Sequence, residues 1–529
     1  MTLVFAVAMT GTMRLAPELL PSLCQSVEVA SSNEKSTMLK TLSDQYNAEG
    51  HFVGGRCIRV NVEQVNSGDA EQLLESRWAN SSLPRPDVWS PGSSAWVVLL
   101  RQRSAAGATL IPAGYDSLFQ SPLIIAMPAP MAAALGYPAT SIGWSDIFAL
   151  VENPAGWGAV GHPEWGKFKL AKTNPNVSTS GLHTLIGTYY AAGGVTPETV
   201  NSPTVRAFVA GIESSVVHYG ETANAFLSNL RDEDSRGTAL EYVSAVAIEE
   251  QELVSYNSST PAPRTSLVAI YPREGVPVAD HPYLVLTTSP AKQAAADFYN
   301  FIEAQQGTID KNFFRDRFGN GGPVLAAQQG IATSPFPRLT PPQGQVLGTM
   351  LRDWQILRKR ARVLIIVDPG GANAAQTAVQ LAAAVKGLQP TDQAGVWIVG
   401  SPSGAAPSKV LALGPVDPVL GQTLASIRAT RRPGDLDDAL RAGLAALSSA
   451  PAGNTIDALV VIEMSPGTRG PTDLKLESDL RNQPTDHFVR IFTVGPPSER
   501  LKALALAGRG TSYVPGAATH FLNDVVSNF

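Results

Sequence analysis

Short apolar runs recur along this chain, each closed by a polar turn and followed by a stretch of helical periodicity. No other feature limits the fold as much. Strands joined through helices lie parallel, and parallel sheets are buried on both faces. Val27–Ala30 is the first such strand, and it runs through SSNEKS into a helix with Met38, Leu39, Leu42 and Tyr46 on one face. Ile58–Val62 follows, with a helix opening at NSGDAEQLL, and then Asp87–Trp89, which ends in SPGSSAW and another helix. Open parallel sheets hold ligands at the carboxyl ends of their strands. Ser31, Ser32 and Asn33 after the first strand, and Ser90 and Ser93 after the third, are therefore candidate ligand groups. Taken singly, each reads more simply as turn or cap chemistry.

The pattern continues with a buried strand at Pro122–Met127, a helix at Trp144–Leu150 and a strand at Lys167–Lys172. The turn NPNVSTSG then leads into a helix. Ser178, Thr179 and Ser180 are placed to cap it, and a helix start with unpaired N–H groups and hydroxyl neighbours suits an anion or a polar ligand. Thr196–Gly220 reads as helical, with Phe208, Ile212 and Val216 spaced by four. Ala245–Ser255 reads as a helix-to-strand passage, Leu267–Tyr271 as a strand and Ala294–Glu303 as an amphipathic helix.

From Gly330 to Gly348 the composition shifts to Pro, Gly, Thr and Gln, and residues 330–360 are expected to form a linker with partial extended character. The strand–helix rhythm then restarts. Strands are expected at Val363–Val367, Val396–Val399, Ala458–Ile462, Val489–Val494 and Ser512–Val514. Helices are expected at Ala374–Lys386, Leu436–Leu447, Leu474–Leu480, Glu499–Ala507 and Leu522–Val526. Residues 361–529 thus read as a doubly wound α/β domain, and 529 residues as two to four domains.

A net charge of −5 argues against nucleic acid as a partner; the densest basic run, Arg358–Arg362, reads as a solvated boundary before a strand. Cys24 and Cys57, the two cysteines, precede and open neighbouring parallel strands. Two reduced buried thiols are one reading; a disulfide is the favoured one, and it implies an oxidising compartment. Residues 1–22 read as the remnant of a signal or anchor segment, Thr2–Met9 being apolar but too short to span a bilayer. No GxSxG elbow, HExxH helix, P-loop or GxGxxG turn is present, and the seven histidines do not cluster, so an enzyme is not expected.

The run GHPEWGKF…KTNPNVSTSGL at Gly161–Leu182 resembles the second-lobe ligand turn of bacterial extracellular solute-binding proteins, which have the type II periplasmic-binding-protein fold. LVAIY at Leu267–Tyr271, continuing as PREGVPVADHPYLVL, is similar to that family's return to its first lobe. The resemblance implies a solute-binding module over residues 23–329, with lobe 1 at about 23–120 and 265–329 and lobe 2 at about 121–264. A small solute would lie between the lobes on Ser31, Ser32, Asn33, Ser90, Ser93, Ser178, Thr179 and Ser180. Hydroxyls and backbone N–H groups suit an oxyanion. The resemblance also implies an extracytoplasmic place in the cell envelope and no cofactor. The alternative is an envelope scaffold that has lost solute binding.

Strand order and the VLIIVD start make residues 361–529 look like a von Willebrand factor A domain. That family holds a divalent cation on Asp-x-Ser-x-Ser, a Thr and an Asp from three loops. Here the first loop reads Asp368-Pro-Gly370-Gly-Ala372, the Thr position falls near Gly434 and the last Asp position near Ser465. Asp368 is the only retained position, and Asp435, Asp437 and Asp438 read as helix-dipole partners. A degenerate metal site on a protein-interaction module is expected.

Overall fold

The computed structural model describes residues 24–79, 81, 83–332, 336–368, 382, 385–400, 406–416, 419–427, 435–449, 454–463, 473–484, 488–514 and 528–529. Three sheets organise them. In the first, Gln25–Ser31 lies parallel between Arg56–Gln64 and Val88–Ser90; Phe52–Val53, Pro282–Val285 and Asp116–Ser117 complete it. Val27 and Val29 pack against Met38, Leu39, Leu42 and Tyr46 of helix Asn33–Glu49. The register sets Ser31 beside both Gln64 and Ser90, so three strand ends share one edge. At the opposite end the same register brings Cys24 and Cys57 into a disulfide, with Cα atoms 4.6 Å apart. On the chain-entropy account, closing that loop stabilises the fold by about 3–4 kcal/mol.

The second sheet is built on Ser121–Pro128, with Ala245–Glu249, Leu170–Thr173 and Val216–Gly220 to one side and Val276–Ala279 and Arg338–Leu339 to the other. Leu267–Ile270 also pairs with Ser121–Pro128. The chain returns to the first sheet only between Ala279 and Pro282, later than the expected boundary at 265. Near that crossing Arg315 donates twice to the Glu250 carboxylate, at 2.8 Å each.

The third sheet runs Ser408–Pro415, Gln393–Ile398, Arg360–Asp368, Thr455–Glu463, Val489–Val494, Ser512–Tyr513. Counted along the chain this is third, second, first, fourth, fifth, sixth, a doubly wound order. All pairs are parallel except Ser408–Pro415 on Gln393–Ile398.

Further expectations about the elements need correction. Val216–Gly220 is a strand, and the preceding helix stops at Ser214. Ala245–Asn257 runs strand first and helix second. Ser408–Pro415 was not expected; its short apolar run Val410–Leu413 was passed over, and its residues are half-buried or exposed. The segment expected as a linker contains helix Gly344–Leu357, which buries Val346, Leu347, Met350, Leu351 and Trp354. It packs on helices Ser94–Arg103, Thr179–Ala191 and Pro203–Ser214. Residues 1–22, most of the helix expected at 374–386 and all of that at 522–526 lie outside the described residues, as do Gly370, Ala372, Gly434 and Ser465.

The third-sheet domain is docked on the second sheet and its helices. Trp354 meets Tyr219 edge-on with centroids 5.0 Å apart, and the Lys359 N–H donates to the Tyr219 hydroxyl at 3.0 Å. Arg509 pairs with Glu233 and Arg481 with Asp232, both at 2.8 Å.

Candidate functional site

The strand ends of the first sheet meet the turn 174–178 and helix Thr179–Ala191 of the second. The Ser67 and Thr179 hydroxyls are 3.2 Å apart, and the Trp96 indole N–H donates to Thr179 at 3.0 Å. The Gly68 N–H donates to the Val177 carbonyl at 2.9 Å. The Ser93 hydroxyl lies 2.9 Å from His183 Nε2. This approach needs glycine at two positions. A Cβ at Gly68 would stand 1.9 Å from the Asn176 carbonyl oxygen, and one at Gly92 would stand 2.4 Å from the Thr179 hydroxyl.

Beneath these contacts lies a buried charge cluster. The Lys35 ammonium donates to the Ser32 hydroxyl at 2.6 Å and to the Pro91 carbonyl at 3.0 Å, and it is 3.4 Å from His281 Nδ1. His281 Nε2 in turn lies 3.3 Å from Glu249. Burial pulls Lys35 down to about 8. Burial pushes Glu252 up to about 8, with repulsion from Glu34 adding to it. Glu249 is raised well above the carboxylate range, first by burial and then by Glu34 and Glu252. His281 is held well below its usual value, by burial and then by Lys35. Low-dielectric surroundings favour the neutral forms of all these groups.

Between the turns is a crevice with about 10 Å³ of free space, the room of one water molecule. Of the eight expected ligand residues, Asn33, Ser178 and Ser180 line it. The other five stand in the same cleft but are bonded within the protein. Ser31 donates to the Ser32 carbonyl at 3.2 Å and Ser90 to the Pro282 carbonyl at 2.8 Å. Ser32 accepts from Lys35, Ser93 caps helix Ser94–Arg103, and Thr179 is held by Ser67 and Trp96. Ser178 precedes its helix without a side-chain cap bond, contrary to expectation. Glu34, Ser67, Glu221 and Glu252 were missed as lining groups. Ser67, Glu221 and Glu252 follow strand ends, so the same rule finds them once the strands are placed correctly. Three of the lining side chains are acidic, Glu34, Glu221 and Glu252, and among the described residues no Lys or Arg lines the crevice.

The model of the bacterial extracellular solute-binding protein family matches residues 27–315, more than half of the 529. The chain belongs to that family. Among proteins of curated function, no sequence matches it. Solved structures similar to this solute-binding protein include the sulfate-binding protein SubI from Mycobacterium tuberculosis H37Rv. It is 17% identical with a TM-score of 0.38, over 57% of this chain and 89% of that one. A periplasmic thiamin binding protein is 12% identical with a TM-score of 0.45, over 64% and 98%. The Bordetella ferric binding protein is 14% identical with a TM-score of 0.38, over 63% and 98%.

In this solute-binding protein the matched span takes in the whole cleft. Asp368 ends its strand beside Glu463, far along the chain from the match. Among the described residues, no group of three or more His, Cys, Asp or Glu is placed to hold a metal ion, and no helix is long and apolar enough to cross a membrane.

Proposed function

We propose that the protein binds a small solute between its first two sheets, outside the cytoplasm. The observation that carries this is the convergence of three turns, at Asn33–Glu34, Asn66–Ser67 and Ser178–Ser180, on one crevice between the lobes. Glu34 and Glu221 on that crevice favour a neutral or cationic solute that donates hydrogen bonds over the oxyanion suggested by hydroxyls alone. A solute larger than water needs the lobes to part first. The family's extracellular character and the Cys24–Cys57 bridge support the extracytoplasmic assignment. An anchor at residues 1–22 remains part of the reading.

For residues 361–529 we keep the von Willebrand factor A-like assignment and a role in protein interaction. The strand order and the antiparallel edge strand support it. Asp437 is engaged by Arg500, whose guanidinium also lies 4.0 Å from Glu463, so a fixed cation already sits among these acids. That supports a degenerate metal site.

The test is a thermal-shift and X-ray scattering screen with amines, amino acids, polyols and oxyanions. At least one hydrogen-bond-donating solute is expected to raise the melting temperature and compact the wild type, and Ser180→Leu is expected to abolish both effects. A response to oxyanions alone would overturn the ligand class. No response to any solute would favour a second reading, an envelope scaffold without solute binding. Five of the eight expected donors being tied up within the protein is the observation on that side.

A further inference from the structure

A second and larger cavity, of about 490 Å³, lies far from the cleft, where the third-sheet domain meets the edge of the second sheet. Two cations stand side by side in it. The Lys359 ammonium donates to the Val216 carbonyl and Arg490 Nε to the Val217 carbonyl, both at 3.1 Å, so the two donate to consecutive residues of one strand. Among the described residues neither has a carboxylate within ion-pair distance. Their neighbours in the same region do: Arg358 has Asp392 at 2.5 Å, Arg362 has Asp457 at 3.3 Å and Arg509 has Glu233 at 2.8 Å.

Arg490 is only 6% exposed, and its Nη1 has no hydrogen-bond partner. Burying a cation without a counter-charge is costly. Burial pulls Arg490 down to about 10. Lys359 is pulled down to about 8, by burial first and then by repulsion from Arg490. The wall carries Lys167, Lys169 and Arg509 besides these two, against Glu241 and Asp457. Asp457 is taken by Arg362, and the Phe488 ring lies under both Arg490 and Arg509, at 5.6 and 4.3 Å, fixing the guanidinium planes.

We propose that this cavity is an anion site, taking a phosphate-class oxyanion, free or as the terminal group of a phosphorylated small molecule, on Arg490 and Lys359. The anion supplies the missing counter-charge. Arg490 belongs to the third sheet and the carbonyls that orient the pair belong to the second, so the bound anion ties the third-sheet domain to the second lobe. The volume exceeds what a bare oxyanion needs and falls in the usual range for small-molecule sites, which leaves room for an ester group.

The test is calorimetric titration of the full chain with inorganic phosphate and, separately, with glycerol phosphate, at constant ionic strength set by chloride. Saturable binding of at least one is expected. Arg490→Gln and Lys359→Gln are each expected to weaken it by roughly tenfold or more, the loss of one charge-assisted hydrogen bond. In phosphate-free buffer Arg490→Gln is expected to melt no lower than the wild type, because it removes an uncompensated buried charge. Should that variant fail to fold, Lys359→Gln at the rim decides alone. Tighter binding of glycerol phosphate assigns the esterified ligand, and equal binding the free ion. No saturable binding of either probe, or binding unchanged in both variants, overturns the proposal.

Discussion

Gly68 and Gly92 set how closely the two lobes can approach, and they do so differently. At Gly68 the obstacle met by a Cβ is a backbone carbonyl at 1.9 Å, which cannot move without shifting the turn 174–178. At Gly92 it is the Thr179 side chain, whose displacement disturbs less than that of a backbone carbonyl. Gly68→Ala is therefore expected to destabilise the closed arrangement by about 1–3 kcal/mol, the usual range for overpacking, and Gly92→Ala by less. Scattering should show a larger radius for Gly68→Ala with little change in helix content by circular dichroism. An unchanged radius would mean that the cleft is not held by this contact.

The buried cluster at the same residues predicts a pH dependence. Glu252 and Glu249 are raised, so the folded state holds protons that the unfolded state releases above about 4.5, and this lowers stability as pH rises towards 8. His183 and His281 are lowered, so their contribution rises with pH up to 6.5 and offsets the carboxyls below that point. Lys35 is lowered to about 8, and its contribution rises only above that value. The uncompensated window is pH 6.5 to 8. Stability is expected to fall there by about 1–2 kcal/mol from Glu252, with Glu249 acting in the same direction, and Glu252→Gln is expected to flatten the fall. Melting curves across the window check it; a slope unchanged in the variant would place the titrating group elsewhere.

At the scale of elements, helix Gly344–Leu357 stands out because composition concealed it. The Pro, Gly and Gln around it read as a linker, yet Val346, Met350 and Trp354 repeat every four residues and are buried. Trp354→Ala is expected to cost about 3–5 kcal/mol and to loosen the third-sheet domain on Tyr219. Limited proteolysis should then cut near residues 340–360 faster than in the wild type; equal rates would show that the helix is not the joint. The strands of the first sheet were legible because each apolar run ends in small polar residues. Val216 was not, because it continues the spacing of Phe208 and Ile212 past the true helix end at Ser214. That error carried Glu221 out of view as a site residue. Ala245–Glu249 is a short apolar run that periodicity alone cannot assign, and misordering it hid Glu252. Edge strand Ser408–Pro415 carries only the four-residue apolar run Val410–Leu413, too short for periodicity to assign.

For the molecule as a whole, the disulfide and the third-sheet domain give two further outcomes. Unfolded, unreduced protein should titrate with no free thiol, since both cysteines are bridged. Millimolar Mg²⁺ or a chelator should leave the melting temperature unchanged, and a metal-dependent rise would show that Asp368 has recruited other ligands. Helix Gly344–Leu357 touches helices on both sides of the cleft and continues directly into Arg360–Asp368 of the third sheet. The helix thus acts as a tethered ligand for the shut cleft, present at a fixed effective concentration that no dilution lowers. Parting the lobes must peel it from one side or drag the third-sheet domain along. Whatever binds that domain and biases the helix must then change the affinity for solute, and by linkage solute must change the affinity for that partner by the same factor.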